Sequence, residues 1–142
     1  MSSDSNIDPP MRQAYLETHY HVHGDVPMTL QVGVASEPLA AFYKTMQVNC
    51  CTFITACNPY SELLEDAVNA ERHQVLAHEL RQLDLKFTES LGEHPSNLWP
   101  GEPSYLVCGL SLEDSKKLGT KHEQNAIIWC GTDAIPQLVL LR

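Results

Sequence analysis

Apolar and polar residues alternate along two neighbouring segments early in the chain. Residues 17–23 place Tyr20 and Val22 on one face and three histidines on the other, and residues 28–34 alternate in the same way. A period of two residues is typical of a strand that buries one face. Because residues 24–27 between the segments include a glycine and a proline, which favour turns, we predict a β-hairpin.

Three segments have the apolar spacing of helices instead. Residues 37–47 follow Ser36, a good N-cap, and residues 111–122 open with a capping-box pattern. The longest predicted helix runs to about residue 83, with Asn58 as its N-cap and a proline at its first helical position. Ser61 is an alternative N-cap. Its predicted apolar stripe consists of Leu64, Val68, Leu76, Leu80 and Leu83.

Short apolar runs predict the remaining strands. They cover residues 51–56, 104–109, 125–130 and 137–141, and residues 86–92 are either a weak strand or a loop. Residues 1–10 are expected to form a disordered lead-in, followed by no more than a turn or two of helix. We therefore predict one α+β domain over residues 11–142. It would contain a mixed, mostly antiparallel sheet and about three helices. The order is β-β-α-β-α-β-α-β-β if residues 86–92 form a loop, with one more strand after the second helix if they do not.

Composition changes this picture mainly by excluding classes of partner. The chain of 142 residues suits one domain, and its formal net charge of -9 would repel nucleic acids and anionic membranes. No secretory signal and no apolar run of about 20 residues is seen, so we expect a cytoplasmic protein. Its five cysteines are expected to be reduced and buried. Neither a structural zinc nor a cofactor is predicted.

Amide side chains mark the ends of two predicted strands and provide the first candidate site. If the strands at 51–56 and 125–130 are neighbours, these ends converge, and a helix starting after Asn58 would add backbone donors for an anion. Asn69 would lie near the buried face of that helix and would need partners, for which the end of the first strand is nearest. The alternative is a buried hydrogen-bond network, which is favoured because amides are poor acids and bases. The candidate ligand-binding residues are Thr55, Asn58, Asn69, Glu102, Ser104, Gln124 and Asn125.

The histidines of the first strand form a second candidate. His19, His21 and His23 share one face at a spacing of about 7 Å, and imidazoles so placed can chelate zinc, nickel or copper. A metal-binding protein is therefore one alternative function. The other interpretation is a stripe that faces solvent on the hairpin, and it is favoured because no supporting residues are visible.

A third set would support an enzyme. Glu102 or Glu123 could act with His122 as acid and base, while the amides stabilise an oxyanion, in a small hydrolase or transferase. No nucleophile elbow, dinucleotide fingerprint or P-loop is present. Cys57 could be a thiolate nucleophile, but a packed thiol suits its apolar strand better. His122 also suits the end of a helix as a simple charge, so catalysis is not the favoured function.

Four short motifs follow one another between residues 55 and 127. They are Thr55-Ala56-x-Asn58-Pro59, Asn69 in the next helix, Trp99…Glu102-x-Ser104, and Gln124-Asn125-Ala126-Ile127. Together they resemble a bacterial family of unknown function, domain-of-unknown-function family 3293. The likeness covers roughly residues 15–140 and departs from the family pattern at His122-Glu123, where an aromatic-glycine pair is usual. The family has no assigned activity, so the resemblance implies where a site lies and not what it does.

The leading hypothesis is a small cytosolic binding or regulatory module without catalysis. Its partner would be a protein or a small molecule, and not nucleic acid or membrane. An exposed apolar patch around Leu98, Trp99 and Tyr105 would support a protein partner. An exposed sheet edge at the hairpin or at residues 137–141 would allow a homodimer.

Overall fold

The chain folds into an antiparallel sheet with helices on both faces. The computed structural model describes residues 7–96 and 100–142, and within them the chain forms four α-helices and seven strands. The helices are α1 (Pro9–Glu17), α2 (Glu37–Met46), α3 (Asp66–Gln82) and α4 (Leu112–Lys121). The strands are β1 (His19–Val22), β2 (Met28–Leu30), β3 (Cys51–Ile54), β4 (Phe87–Glu93), β5 (Glu102–Cys108), β6 (Ala126–Cys130) and β7 (Pro136–Leu140).

Neighbouring strands in this sheet are all antiparallel. Their order is β2-β1-β4-β5-β3-β6-β7, so the predicted hairpin of β1 and β2 forms one edge and β7 forms the other. β3 lies beside β6, which is the condition stated above for the two amide-bearing strand ends to converge. The protein is therefore an α+β domain, as predicted. Within the described residues its sheet is fully antiparallel and not mixed, and it has one more helix than predicted.

Alternate side chains of the sheet enter two separate cores, because successive residues of a strand point to opposite faces. Phe53 and Ile128 belong to a cluster that includes the apolar face of α2. Ile54, Val107 and Ile127 belong to a second cluster with α3 and α4. The sheet is thus the middle layer of three, and its central strands are buried on both sides.

Helix α1 lies partly in the segment expected to be a disordered lead-in. It begins at Pro9, where Asp8 accepts a hydrogen bond from the Met11 N–H at 3.0 Å as an N-cap. Proline fits the first turn of a helix because its missing N–H has no intrahelical partner there. Pro9 and Pro10, which fall in the predicted disordered lead-in, therefore open a helix instead.

The prediction that the long helix begins at Asn58 is wrong. Asn58 has a left-handed backbone, with φ 49° and ψ 65°, and Pro59–Ser61 form only a 3₁₀ turn in which Tyr60 and Ser61 also have positive φ. An α-helix cannot propagate through such residues, so α3 starts at Asp66.

The buried face of α3 is shorter than the predicted apolar stripe. Leu76 and Leu80 are buried as predicted, together with Ala77, whereas Val68 is 43% exposed and Leu83 54% exposed. The predicted stripe is therefore correct only in the middle of the helix.

The caps predicted for the other two helices are confirmed. Ser36 Oγ accepts from the Leu39 N–H at 3.2 Å, and Ser111 Oγ accepts from the Asp114 N–H at 3.1 Å. Each hydroxyl satisfies a donor that the first turn of a helix leaves unpaired.

The thiols also agree with the expectation from composition. All five cysteines are free, and four of them are buried in or beside strands, with Cys50 half-buried. No helix within residues 7–96 and 100–142 is long and apolar enough to cross a membrane.

Gly119 sets how closely α4 packs on the sheet. A Cβ at this position would lie 2.6 Å from Leu141 Cδ1 and 2.8 Å from Ile127 Cγ2. Ala favours a helix by about 1 kcal/mol over Gly, but overpacking costs about 1–3 kcal/mol. We therefore expect Gly119→Ala to lower the free energy of unfolding by on the order of 1 kcal/mol, measured by urea denaturation.

The control for this prediction is the next residue of the same helix. Thr120 is exposed, so Thr120→Ala should leave stability unchanged or raise it by a few tenths of a kcal/mol. A Gly119→Ala variant as stable as Thr120→Ala would contradict the close approach of helix and sheet.

Candidate functional site

A cavity of about 530 Å³ lies between α1 and one end of the sheet. β3 and β4 end here, and β1, β5 and β6 begin here. The strands supply an apolar floor that includes Phe53 and Ile128. The opposite wall is the inner side of α1, with Met11, Ala14 and Tyr15. The cavity therefore occupies the part of this sheet face that α2 leaves uncovered.

Most of the predicted site residues meet at this cavity. Asn69 and Asn125 do not line it, but each hydrogen-bonds a residue that does. The wall around the strand ends is thus polar, in contrast to the floor. The predicted residues that line the cavity are Thr55, Asn58, Glu102, Ser104 and Gln124.

Asn58 is the centre of the hydrogen-bond network in this wall. Its N–H donates to Asn69 Oδ1 at 2.9 Å, and its Oδ1 accepts from Asn69 Nδ2 at 2.8 Å. The same Oδ1 accepts from the Leu64 N–H at 3.0 Å, and Asn58 Nδ2 donates to Glu102 Oε2 at 2.8 Å. The two asparagines therefore tie the start of α3 to the end of β3 and orient the carboxylate of Glu102.

The two hydroxyls in the wall are turned toward the backbone. Thr55 Oγ1 donates to the Pro103 carbonyl at 2.7 Å and accepts from the Cys57 N–H at 3.0 Å. Ser104 Oγ donates to the Glu102 carbonyl at 2.9 Å. These bonds fix the shape of the strand ends and leave Glu102 and Asn58 as the distinctive polar groups at the cavity.

The second amide pair holds the start of β6. Gln124 Nε2 donates to the Cys57 and His122 carbonyls, each at 3.1 Å. Asn125 Nδ2 donates to Ser61 Oγ at 2.9 Å, and Ser61 Oγ lies 3.0 Å from Tyr15 Oη. This chain of bonds connects the sheet to α1.

Three residues that the sequence interpretation missed complete the site. Arg72 donates to the Ala56 carbonyl at 2.6 Å and to the His122 carbonyl at 3.0 Å, so it joins the two strand-end connections. It lies three residues after Asn69 and so on the same side of α3, which is a signal that could have identified it. Tyr15 and Ser61 had no such signal, because their contact joins segments far apart in sequence.

The helix N-terminus expected after Asn58 does not exist, because α3 begins at Asp66. The anion site based on that helix is therefore a wrong prediction. The Asn58 N–H donates to Asn69, and the other polar groups of the wall form hydrogen bonds within the protein.

The residues of the enzyme hypothesis lie in different environments. Glu102 lines the cavity. His122 Nε2 instead lies 2.7 Å from Glu79 Oε1, and Glu123 pairs with Arg72 at 3.5 Å. Burial raises the pKa of Glu79, but hydrogen bonds from Lys121 and His122 outweigh that effect and leave its pKa below the ordinary value.

Cys57 has the environment of a packed thiol. It is buried, its Sγ lies 3.6 Å from the Pro103 carbonyl oxygen, and burial raises its pKa. A raised pKa keeps sulfur protonated at neutral pH, which is unfavourable for a nucleophile.

The histidine stripe lies at the edge hairpin. The rings of His19 and His21 have centroids 6.0 Å apart, and His21 contacts Thr29 Oγ1 at 2.9 Å and Glu93 Oε1 at 3.5 Å. Within the described part of the chain, no three His, Cys, Asp or Glu side chains are grouped so that they could hold a metal ion.

The apolar patch proposed as a docking surface falls mostly outside the described residues. Leu98 and Trp99 belong to residues 97–99, which lie outside them. Tyr105 is 3% exposed and stacks on His73 with ring centroids 4.1 Å apart. Tyr105 is therefore part of the core and not of a surface.

Comparison with known proteins places the chain in a family without assigning an activity. The family model described as "Protein of unknown function (DUF3293)" matches residues 54–127, which is more than half of the chain. The protein belongs to this family, as its motifs indicated. The matched segment contains all seven predicted ligand-binding residues but not α1. No curated protein and no solved structure matches the chain.

The Asn58–Asn69 pair should contribute measurably to stability. Asn69→Ala removes the partner of the Asn58 N–H and one of its Oδ1 donors, and an unpaired buried group costs about 1–3 kcal/mol. We expect a loss of that size in the free energy of unfolding from denaturant titration. The control is Gln74→Ala at an exposed position of α3, which should change stability by less than about 0.5 kcal/mol. Equal effects of the two substitutions would show that the pair is not a structural tie.

Proposed function

We propose that this protein is a small cytosolic binding module that takes a small molecule into the cavity beneath α1. The observation that carries this proposal is the relation between α1 and the cavity. None of the residues of α1 is buried, although Met11, Ala14 and Tyr15 face a space of about 530 Å³. That volume is within the range of ligand pockets, roughly 300–1,000 Å³.

The short length of α1 supports the same proposal. A helix of nine residues is marginal by itself, so it depends on contacts with the rest of the protein. Its polar ties include the Tyr15–Ser61 contact and the Glu17–His94 contact at 3.0 Å. A ligand in the cavity would add the apolar contacts that α1 lacks.

The fixed polar wall favours binding over catalysis. Asn58 and Gln124 are held by several hydrogen bonds each, so they offer a pre-formed surface at little entropic cost to a ligand. Amides orient ligands but do not exchange protons readily. His122, the base of the alternative enzyme, contacts Glu79 and is not among the residues that line the cavity.

A neutral apolar dye provides a direct test. N-phenyl-1-naphthylamine fluoresces strongly in apolar surroundings, and we expect its fluorescence to rise with saturation on adding the protein. Gly92 lines the cavity, and a Cβ there would have contacts of 3.8–3.9 Å, which are ordinary. Gly92→Leu should therefore fold, occupy the cavity and reduce dye affinity at least about tenfold.

The matched control adds the same side chain elsewhere. Ala41 is exposed on α2 and does not line the cavity, so Ala41→Leu should bind the dye like the wild type. Thermal unfolding of all three proteins confirms that each is folded. Absence of saturable dye binding by the wild type, or equal affinity in Gly92→Leu, would contradict the proposal.

A further inference from the structure

Acidic side chains outnumber basic ones at the cavity. Among the described residues that line it, Asp8, Glu17 and Glu102 carry carboxylates and no lysine or arginine is present, while His94 lies with its Nε2 atom 3.0 Å from Glu17 Oε1. Two arginines of the same region face other partners. Arg72 contacts the Ala56 and His122 carbonyls, and the Arg142 guanidinium lies over the Tyr60 ring at 4.2 Å. An anionic ligand would therefore meet repulsion here, and a cation would not.

Aromatic rings line the same space. Phe53, Tyr15 and Tyr20 all border the cavity, and the rings of Tyr20 and Phe53 meet edge to face with centroids 5.0 Å apart. The Tyr20 hydroxyl donates to the Tyr15 carbonyl at 2.7 Å, which fixes its ring. Aromatic faces attract ammonium groups through their quadrupole and bind apolar groups equally well. The lining thus combines two features that suit an organic cation.

Glu102 is the best-placed counter-ion. It stands directly opposite Gly92 in the pairing of β4 and β5, so no side chain from that position covers it. Asn58 Nδ2 orients its Oε2 atom at 2.8 Å. A carboxylate offers about four lone-pair sites, so Glu102 can accept from an ammonium group in addition to its partners within the protein.

We infer that the cavity binds an organic cation, an ammonium group on an apolar body, with Glu102 as the counter-ion and the aromatic rings around the apolar part. This inference rests on the proposed function and narrows it to a ligand class. The acidic surface of the protein, with its net charge of -9, would also draw such ligands toward the cavity.

Three probes of equal chain length separate charge from apolar contact. Hexylamine, hexanol and hexanoate are compared by their ability to displace N-phenyl-1-naphthylamine at neutral pH, with direct calorimetry as a second readout. We expect hexylamine to bind about tenfold more tightly than hexanol, because a hydrogen bond to a charged partner is worth more than one between neutral groups. Hexanoate should bind more weakly than hexanol.

Glu102→Gln tests the assigned counter-ion. Glutamine keeps an oxygen that can accept from Asn58, so the wall should remain intact, and the preference for hexylamine over hexanol should fall to about twofold or less. The control Glu71→Gln removes the same charge from an exposed site outside the cavity and should keep the wild-type preference. High salt should weaken a general attraction of hexylamine to the acidic surface more than its direct contact with Glu102.

The outcomes distinguish the ligand class from the proposed function. Equal binding of hexylamine and hexanol by the wild type, or an unchanged preference in Glu102→Gln, would overturn the cation inference while the cavity still binds. A preference lost equally in Glu71→Gln would also overturn it, since the effect would then come from overall charge. Failure of the dye and of all three probes to bind would instead refute the proposed function itself.

Discussion

The reciprocal hydrogen bonds between Asn58 and Asn69 are the interaction on which the rest of this site depends. The chain leaves β3 with a left-handed residue at Asn58, a conformation that a non-glycine residue adopts at a cost. Asn69 pairs with both the N–H and the Oδ1 of Asn58, which holds the backbone in this conformation. With Asn58 fixed, its Nδ2 points to Glu102 and its Oδ1 accepts from Leu64. This pair therefore helps to orient the carboxylate that β5 places at the cavity.

The site combines a rigid wall with a lightly held cover. Arg72 and Gln124 bind carbonyls from both the β3 and the β6 connections, so the strand ends cannot move independently. Helix α1, in contrast, buries none of its residues. Ligand-binding covers are usually among the less stable parts of a protein, because they must open. The distribution of contacts here follows that rule.

Local patterns in the sequence were sufficient to predict most elements, and they failed where a residue had two local options. Alternation located the hairpin, and Ser36 and Ser111 located helix starts, since caps depend on neighbours three residues away. Asn58 before Pro59 is compatible both with a helix N-cap and with a left-handed turn. The turn is stabilised by Asn69, which lies eleven residues further along the chain. Pro9 fits both a flexible segment and the first turn of a helix, and for this reason α1 begins earlier than the turn or two of helix predicted after residue 10.

From the sequence, the site residues could be predicted to lie together only on the condition that β3 and β6 are neighbouring strands. Thr55 and Gln124 lie together because β3 pairs with β6, and strand order depends on packing between segments remote in sequence. The family motifs contain Asn58, Asn69 and Gln124 but not Tyr15, which lies outside the matched residues 54–127. The wall could therefore be located from the sequence, whereas the cavity could not, because its other side is α1.

The most direct test of the account is hydrogen–deuterium exchange of the α1 amides with and without saturating N-phenyl-1-naphthylamine. If a ligand fills the space beneath this helix, its inner residues gain contacts, and exchange in residues 9–17 should slow at least about tenfold while α2 is unaffected. Exchange of α1 that is unchanged at saturation, or slowed only to the same extent as α2, would contradict the claim that the cavity beneath α1 is a ligand site.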